Sequence, residues 1–115
     1  MKHILVTKKI DDYDGTVPLG KFDLEGFKNF IVMEVKNLLI NANKNEFMYH
    51  EDFYFWLYIL EDNTVYNFSS PDYILECFIF DKKSGNFEEG KINLAINDMF
   101  LTLDELFEKM AIVIS

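Results

Sequence analysis

Phe53-Tyr54-Phe55-Trp56-Leu57-Tyr58-Ile59-Leu60 is an unbroken apolar and aromatic run, and it holds the only Trp of the chain. It is bounded by Glu51-Asp52 on one side and Glu61-Asp62-Asn63 on the other. A short run of this kind, rich in aromatics and closed by polar residues, predicts a strand buried on both faces. Side chains alternate along a strand. Phe53, Phe55, Leu57 and Ile59 therefore share one face, and Tyr54, Trp56, Tyr58 and Leu60 the other. Such a strand needs neighbours at both edges and a helix over at least one face.

The rest of the chain supplies candidates. Residues 3–10 predict a strand, with Ile4, Val6 and Ile10 on one side and Leu5, Thr7 and Lys9 on the other, an edge-like pattern. Residues 11–20 collect Asp, Gly and Pro and predict turn and loop. Asp23 is placed to cap a long helix that runs to about Ala42, with Phe27, Phe30, Ile31, Val35, Leu38 and Leu39 at helical spacing. Gly26 sits awkwardly in its first turn. Val32, Met33 and Ile40 fall outside the stripe, so a strand over 30–40 is the rival reading.

After the central strand, Glu61 to Thr64 predicts a tight turn, with Val65 to Phe68 as the hairpin partner. Residues 74–81 and 87–97 predict further strands, joined by the turn Lys82 to Asn86. Thr102-Leu103-Asp104-Glu105 has the pattern of a capping box, with Leu101 and Leu106 as its hydrophobic staple. It opens a helix from 103 to about 110, and the apolar Ile112-Val113-Ile114 packs against the body or pairs with a sheet edge. The predicted fold is a single α+β domain over 1–115. It has a mainly antiparallel sheet of four to five strands in the order β-α-β-β-β-β-α, a long helix on one face and a short C-terminal helix.

Charge narrows the function. The chain carries 20 acidic and 11 basic residues, for a net charge of −9, and every basic residue is Lys. Arg is the preferred fork for phosphate and base edges. Its absence, with the acid excess, argues against direct nucleic-acid binding and favours a basic protein partner. The single Cys77 cannot close an internal disulfide. No apolar run reaches the length of a membrane span, and the apolar N-terminal stretch is too short for a secretion signal. The expectation is a cytoplasmic protein with no membrane association.

No catalytic, cofactor or metal constellation stands out. His50-Glu51-Asp52 would alternate between strand faces rather than converge. Asp12-Tyr13-Asp14-Gly15 resembles a calcium loop only superficially, because Ile10 and Lys21 occupy the end positions that must carry ligands. Cys77 lies in an apolar stretch without a basic neighbour and predicts a core thiol. Glu76 shares strand parity with Ile74 and Phe78, so it could be a buried carboxylate of the kind that serves as a general acid.

Elimination leaves a small acidic binding protein that inhibits or neutralises another macromolecule. Immunity proteins that neutralise toxins and phage anti-defence proteins of the anti-CRISPR type act in this way. The absence of Arg beside abundant Lys, Asn, Ile, Phe and Tyr fits AT-rich coding and a bacterial or phage source. The candidate partner-binding residues are Asp11, Asp12, Asp14, Glu61, Asp62, Glu88 and Glu89 in predicted turns, with Tyr49 and Tyr66 from the tyrosines around the central hairpin. Two alternatives follow from the same residues. One is a small enzyme or ligand-binding domain with a pocket between sheet and helix, drawing on Glu76, His50 or a Tyr hydroxyl. The other is a homo-oligomer that pairs through a free edge at the first strand or at residues 112–114, making a homodimer possible.

Overall fold

A computed structural model describes residues 2–9, 16–42, 54–60, 71–79 and 92–115. The chain order is β1 (His3–Lys9), β2 (Thr16–Phe22), α1 (Leu24–Ala42), β3 (Tyr54–Leu60), β4 (Tyr73–Ile79), β5 (Ile92–Ile96), β6 (Met99–Leu101) and α2 (Leu103–Ile114). The strands form one six-stranded sheet in the order β2-β1-β3-β4-β5-β6, and every neighbouring pair is antiparallel. This is the expected α+β class, with a strand count above the predicted four to five.

The aromatic run is the interior strand the sequence demands. β3 pairs with β1 on one side and with β4 on the other. Phe55 and Leu57 enter the main core beneath the helices, joined there by Ile59, while Tyr58 and Leu60 are buried on the opposite face with Trp56 packed against them. Val65 to Phe68, the predicted hairpin partner, lies outside the described residues.

Two strands go beyond the sequence-based expectation. Thr16–Phe22, expected to begin as loop, is the edge strand β2. Pro18 would break an interior ladder, but on an edge its missing N–H costs no pairing. The register shifts between Val6 and Thr7, which pair with Gly20 and Pro18, so Leu19 is the unmatched residue of a bulge. With β2 covering it, β1 is interior and not edge-like: Ile4, Leu5, Val6 and Thr7 are all buried. The other addition is β6, joined to β5 by the two-residue turn Asn97-Asp98. Both residues have positive φ (49° and 66°), the requirement of a type I′ hairpin turn.

Both helices pack on the same face of the sheet. α1 is a helix throughout, which settles the rival strand reading of 30–40, and it buries Phe27, Ile31, Val35 and Leu38. Met33 and Ile40, outside the stripe, are exposed. Asp23 caps α1: its side chain accepts the Gly26 N–H at 2.8 Å, and its carbonyl accepts the Phe27 N–H at 2.9 Å. Gly26 fits because a Cβ there would lie 3.1 Å from the capping oxygen and 3.3 Å from the Phe22 ring.

The β2-α1-β3 crossover passes over β1 and is tied down by aromatic contacts. Phe30 lies 5.1 Å from Phe22 and meets Phe55 edge-on at 5.7 Å. α2 opens with the predicted capping box, Thr102 and Glu105 each bonding the other's backbone N–H at 3.2 Å. It runs on to Ile114, burying Leu106, Met110 and Ile114. Residues 112–114 are thus helical and offer no strand edge, so neither edge expected for homodimer pairing exists in that form. Phe107 meets Phe27 edge-on at 6.4 Å and joins the two helices.

Candidate functional site

The predicted partner-binding residues Asp11, Asp12, Asp14, Tyr49, Glu61, Asp62, Tyr66, Glu88 and Glu89 all lie outside the described residues, as do His50 and the Asp12 to Gly15 stretch. The strand ends that bound them are described. Lys9 pairs with Thr16, Lys8 with Phe55, Tyr54 with Glu76 and Ile79 with Ile92, so these residues mark one end of the sheet. The sequence of Asp11, Asp12 and Asp14 falls between Lys9 and Thr16, and that of Glu88 and Glu89 between Ile79 and Ile92. Glu61 and Asp62 follow Leu60, which pairs with His3 at the opposite end.

That opposite end carries a cleft. It holds about 420 Å³ and is lined by Lys2, Ile59, Asp72, Tyr73, Asn97 and Val113. Three features assemble it. The Lys2 N–H donates to the Ile114 carbonyl at 3.3 Å, which joins the start of β1 to the end of α2. The Asp72 carboxylate accepts the Ile59 N–H at 2.7 Å. The Asn97-Asp98 turn brings the β5–β6 connection to the same end. Lys109 Nζ stands 5.8 Å from the Tyr73 ring centroid, a cation–π distance. An ammonium, a carboxylate and an amide thus converge on an open cleft.

A second, smaller cavity of about 170 Å³ lies on the helix-free face, lined by Ile74, Glu76, Ala95, Asn97 and Asp98. Glu76, singled out in the sequence, is half-buried in its wall. Asp98 joins it through the β5–β6 hairpin, a proximity that sequence spacing alone does not reveal.

The helix-free face also carries the buried polar groups. The Tyr58 phenol is held above its ordinary pKa, first by burial and further by the Asp72 carboxylate, with the Thr7 hydroxyl pulling the other way. Thr7 Oγ1 is near enough to act on Tyr58 but falls outside regular hydrogen-bond geometry. Trp56 Nε1 is buried with no acceptor among the described residues. Cys77 lies in β4 opposite Leu94; its side chain is outside the described residues.

Among the described residues, no three His, Cys, Asp or Glu side chains group closely enough to hold a metal ion. No described helix is long and apolar enough to cross a membrane. The residues missed by sequence reasoning are Lys2, Asp72, Asn97 and Asp98. Asn97-Asp98 is a recognisable pair for positive φ, and it was the available signal for the last hairpin. Compared with known protein families, curated proteins and solved structures, the chain matches none.

Proposed function

We propose that this chain is a small acidic protein that inhibits or neutralises another macromolecule by covering the surface of a basic protein partner in the cytoplasm. Immunity proteins and phage anti-defence proteins of the anti-CRISPR type work in this manner. The observation that carries the proposal is the distribution of charge over the topology. Of the 20 acidic residues, eleven fall outside the described residues. The segments with Asp11, Asp12 and Asp14 and with Glu88 and Glu89 are both bounded by strand ends at the same end of the sheet. Those eleven acids are accompanied by four Lys, so the residues outside the described set carry −7 of the chain's net charge of −9, and an acid excess of this size steers a basic partner and raises its association rate.

The test is capture of binding proteins from a lysate of the source organism or its host, at low and high salt, followed by an activity assay of the captured protein. A stoichiometric basic protein, released by salt and inhibited by this chain, is the expected result. Reversal of Asp11, Asp12, Asp14, Glu88 and Glu89 to Lys should slow association while leaving the fold intact. A captured partner whose activity is unaffected, or an association rate unchanged by the reversal, overturns the proposal.

One observation favours a second reading, a ligand-binding domain. The 420 Å³ cleft has the volume of a small-molecule site, and polar groups of three kinds line it. It lies between the end of the sheet and the end of α2 and draws on Lys2, Asp72 and Tyr73 among the described residues.

A further inference from the structure

The cavity on the helix-free face has two carboxylates, an apolar floor and no cation among its described lining residues. Ile74 and Ala95 form the floor, and Glu76 and Asp98 stand in the wall. Ala95 is paired with Glu76 on β4 and with Phe100 on β6, so all three side chains share the face. The Phe100 side chain is 68 % exposed beside the cavity. From Ile92 to Glu108 the sequence contains no Lys, while Asp98, Asp104, Glu105 and Glu108 are all acidic. At about 170 Å³ the space is well below the roughly 300–1,000 Å³ of small-molecule pockets. It suits one side chain.

We infer that this cavity receives a single cationic side chain, Arg or Lys, from the basic protein partner. The aliphatic stem lies on Ile74 and Ala95, the charged head meets Glu76 and Asp98, and Phe100 offers a ring to the guanidinium or to the adjoining apolar surface. The inference rests on the proposed function for its partner and adds to it a place of contact outside the acidic segments named there. Two carboxylates flanking an apolar floor complement the long amphipathic side chains. An aromatic ring beside them adds cation–π attraction, which favours Arg over Lys.

The experiment uses the full chain and a capped tetra-arginine peptide as probe, followed by amide NMR shifts at low salt. Shifts centred on residues 74–76 and 95–100 are expected. Glu76→Gln with Asp98→Asn should weaken peptide binding by about tenfold or more, the loss of one charge-assisted hydrogen bond. Both changes preserve shape, and Asn tolerates the positive φ at position 98. The control is Glu34→Gln with Glu108→Gln, which removes the same charge from the helices and should change binding by less than about twofold, the scale of exposed charge effects. Equal losses in both variants would show diffuse attraction and overturn the site. Displacement of the peptide by calcium chloride at the same residues would make it a metal site and overturn it too. A captured partner that binds the cavity variant with unchanged affinity sinks this inference while leaving the inhibitor proposal standing. Localised peptide binding without any captured partner supports the cavity and removes that proposal instead.

Discussion

The Asp72 carboxylate accepts the Ile59 N–H at 2.7 Å, two residues past the last β3–β4 pair, Leu57 with Tyr73. Extending that register would set Pro71 opposite Ile59, and proline has no N–H to donate to the ladder. A side chain therefore completes what the backbone leaves open, and it does so in the wall of the cleft lined by Lys2 and Val113. Asp72→Ala should destabilise the fold by about 1 kcal/mol, below the roughly 1.5–3 kcal/mol of a hydrogen bond to a charged group because Asp72 is exposed. Asp72→Asn keeps an oxygen acceptor and should recover part of the loss. Urea midpoints measure both, and faster amide exchange at Ile59 in the Ala variant locates the effect.

Tyr58 should make stability fall on the alkaline side. Its phenol ionises less readily in the folded chain, because burial and the nearby Asp72 charge both oppose the tyrosinate. As pH rises past about 10 the unfolded chain releases this proton first, so the unfolded state binds fewer protons and stability drops. Below about pH 9 the contribution is flat. Tyr58→Phe removes it, and its urea midpoint should decline less steeply than that of the parent chain between pH 9 and 11, a range set by the ordinary tyrosine value of about 10. Parallel declines would show that Tyr58 is not responsible.

Trp56 separates packing from polar cost. Its ring packs against the cluster of Leu5, Tyr58 and Leu60, while Nε1 is buried without an acceptor among the described residues. Trp56→Ala should cost about 2–3 kcal/mol, below the full range for a core aromatic because the residue is half-buried. Trp56→Phe should cost less than about 1 kcal/mol, since it keeps most of the ring and relieves an unpaired donor. If the two substitutions prove equally damaging in guanidinium melts, the indole N–H has a partner that matters.

The α2 capping box should tolerate an amide but not a methyl. Thr102→Ala loses the acceptor for the Glu105 N–H and should cost about 1 kcal/mol. Glu105→Gln retains an oxygen for the Thr102 N–H and should stay within about 0.5 kcal/mol of the parent, while Glu105→Ala should not. Thermal midpoints of the three variants provide the comparison.

Gly20 should resist enlargement. A Cβ there would lie 2.7 Å from the tip of the Phe22 ring, which packs on Phe30. Gly20→Ala should lower stability by about 1 kcal/mol or more through displacement of that ring. A neutral or stabilising result would mean that Phe22 repacks without loss.

What the residues alone disclosed was local or periodic. The β3 run, the α1 stripe from Phe27 to Leu38, the Asp23 cap and the Thr102–Glu105 box each depend on neighbours within a few positions, so spacing is sufficient to find them. The candidate site was far less legible. Its acidic residues were named from predicted turns, but Glu76 and Asp98 line one cavity only because β5 and β6 fold back beside β4. Lys2 and Val113 line one cleft only because the sheet and α2 end together.

Sequence by itself determined an acidic α+β domain built on a strand of aromatic residues. Tertiary structure alone decided that Pro18 and Gly20 belong to a strand, that β1 is interior, and which charged groups share a cavity. Each of these depends on pairing between segments distant in the chain. An edge position makes Pro18 tolerable, and cross-strand register brings carboxylates together, and neither can be read from local propensity.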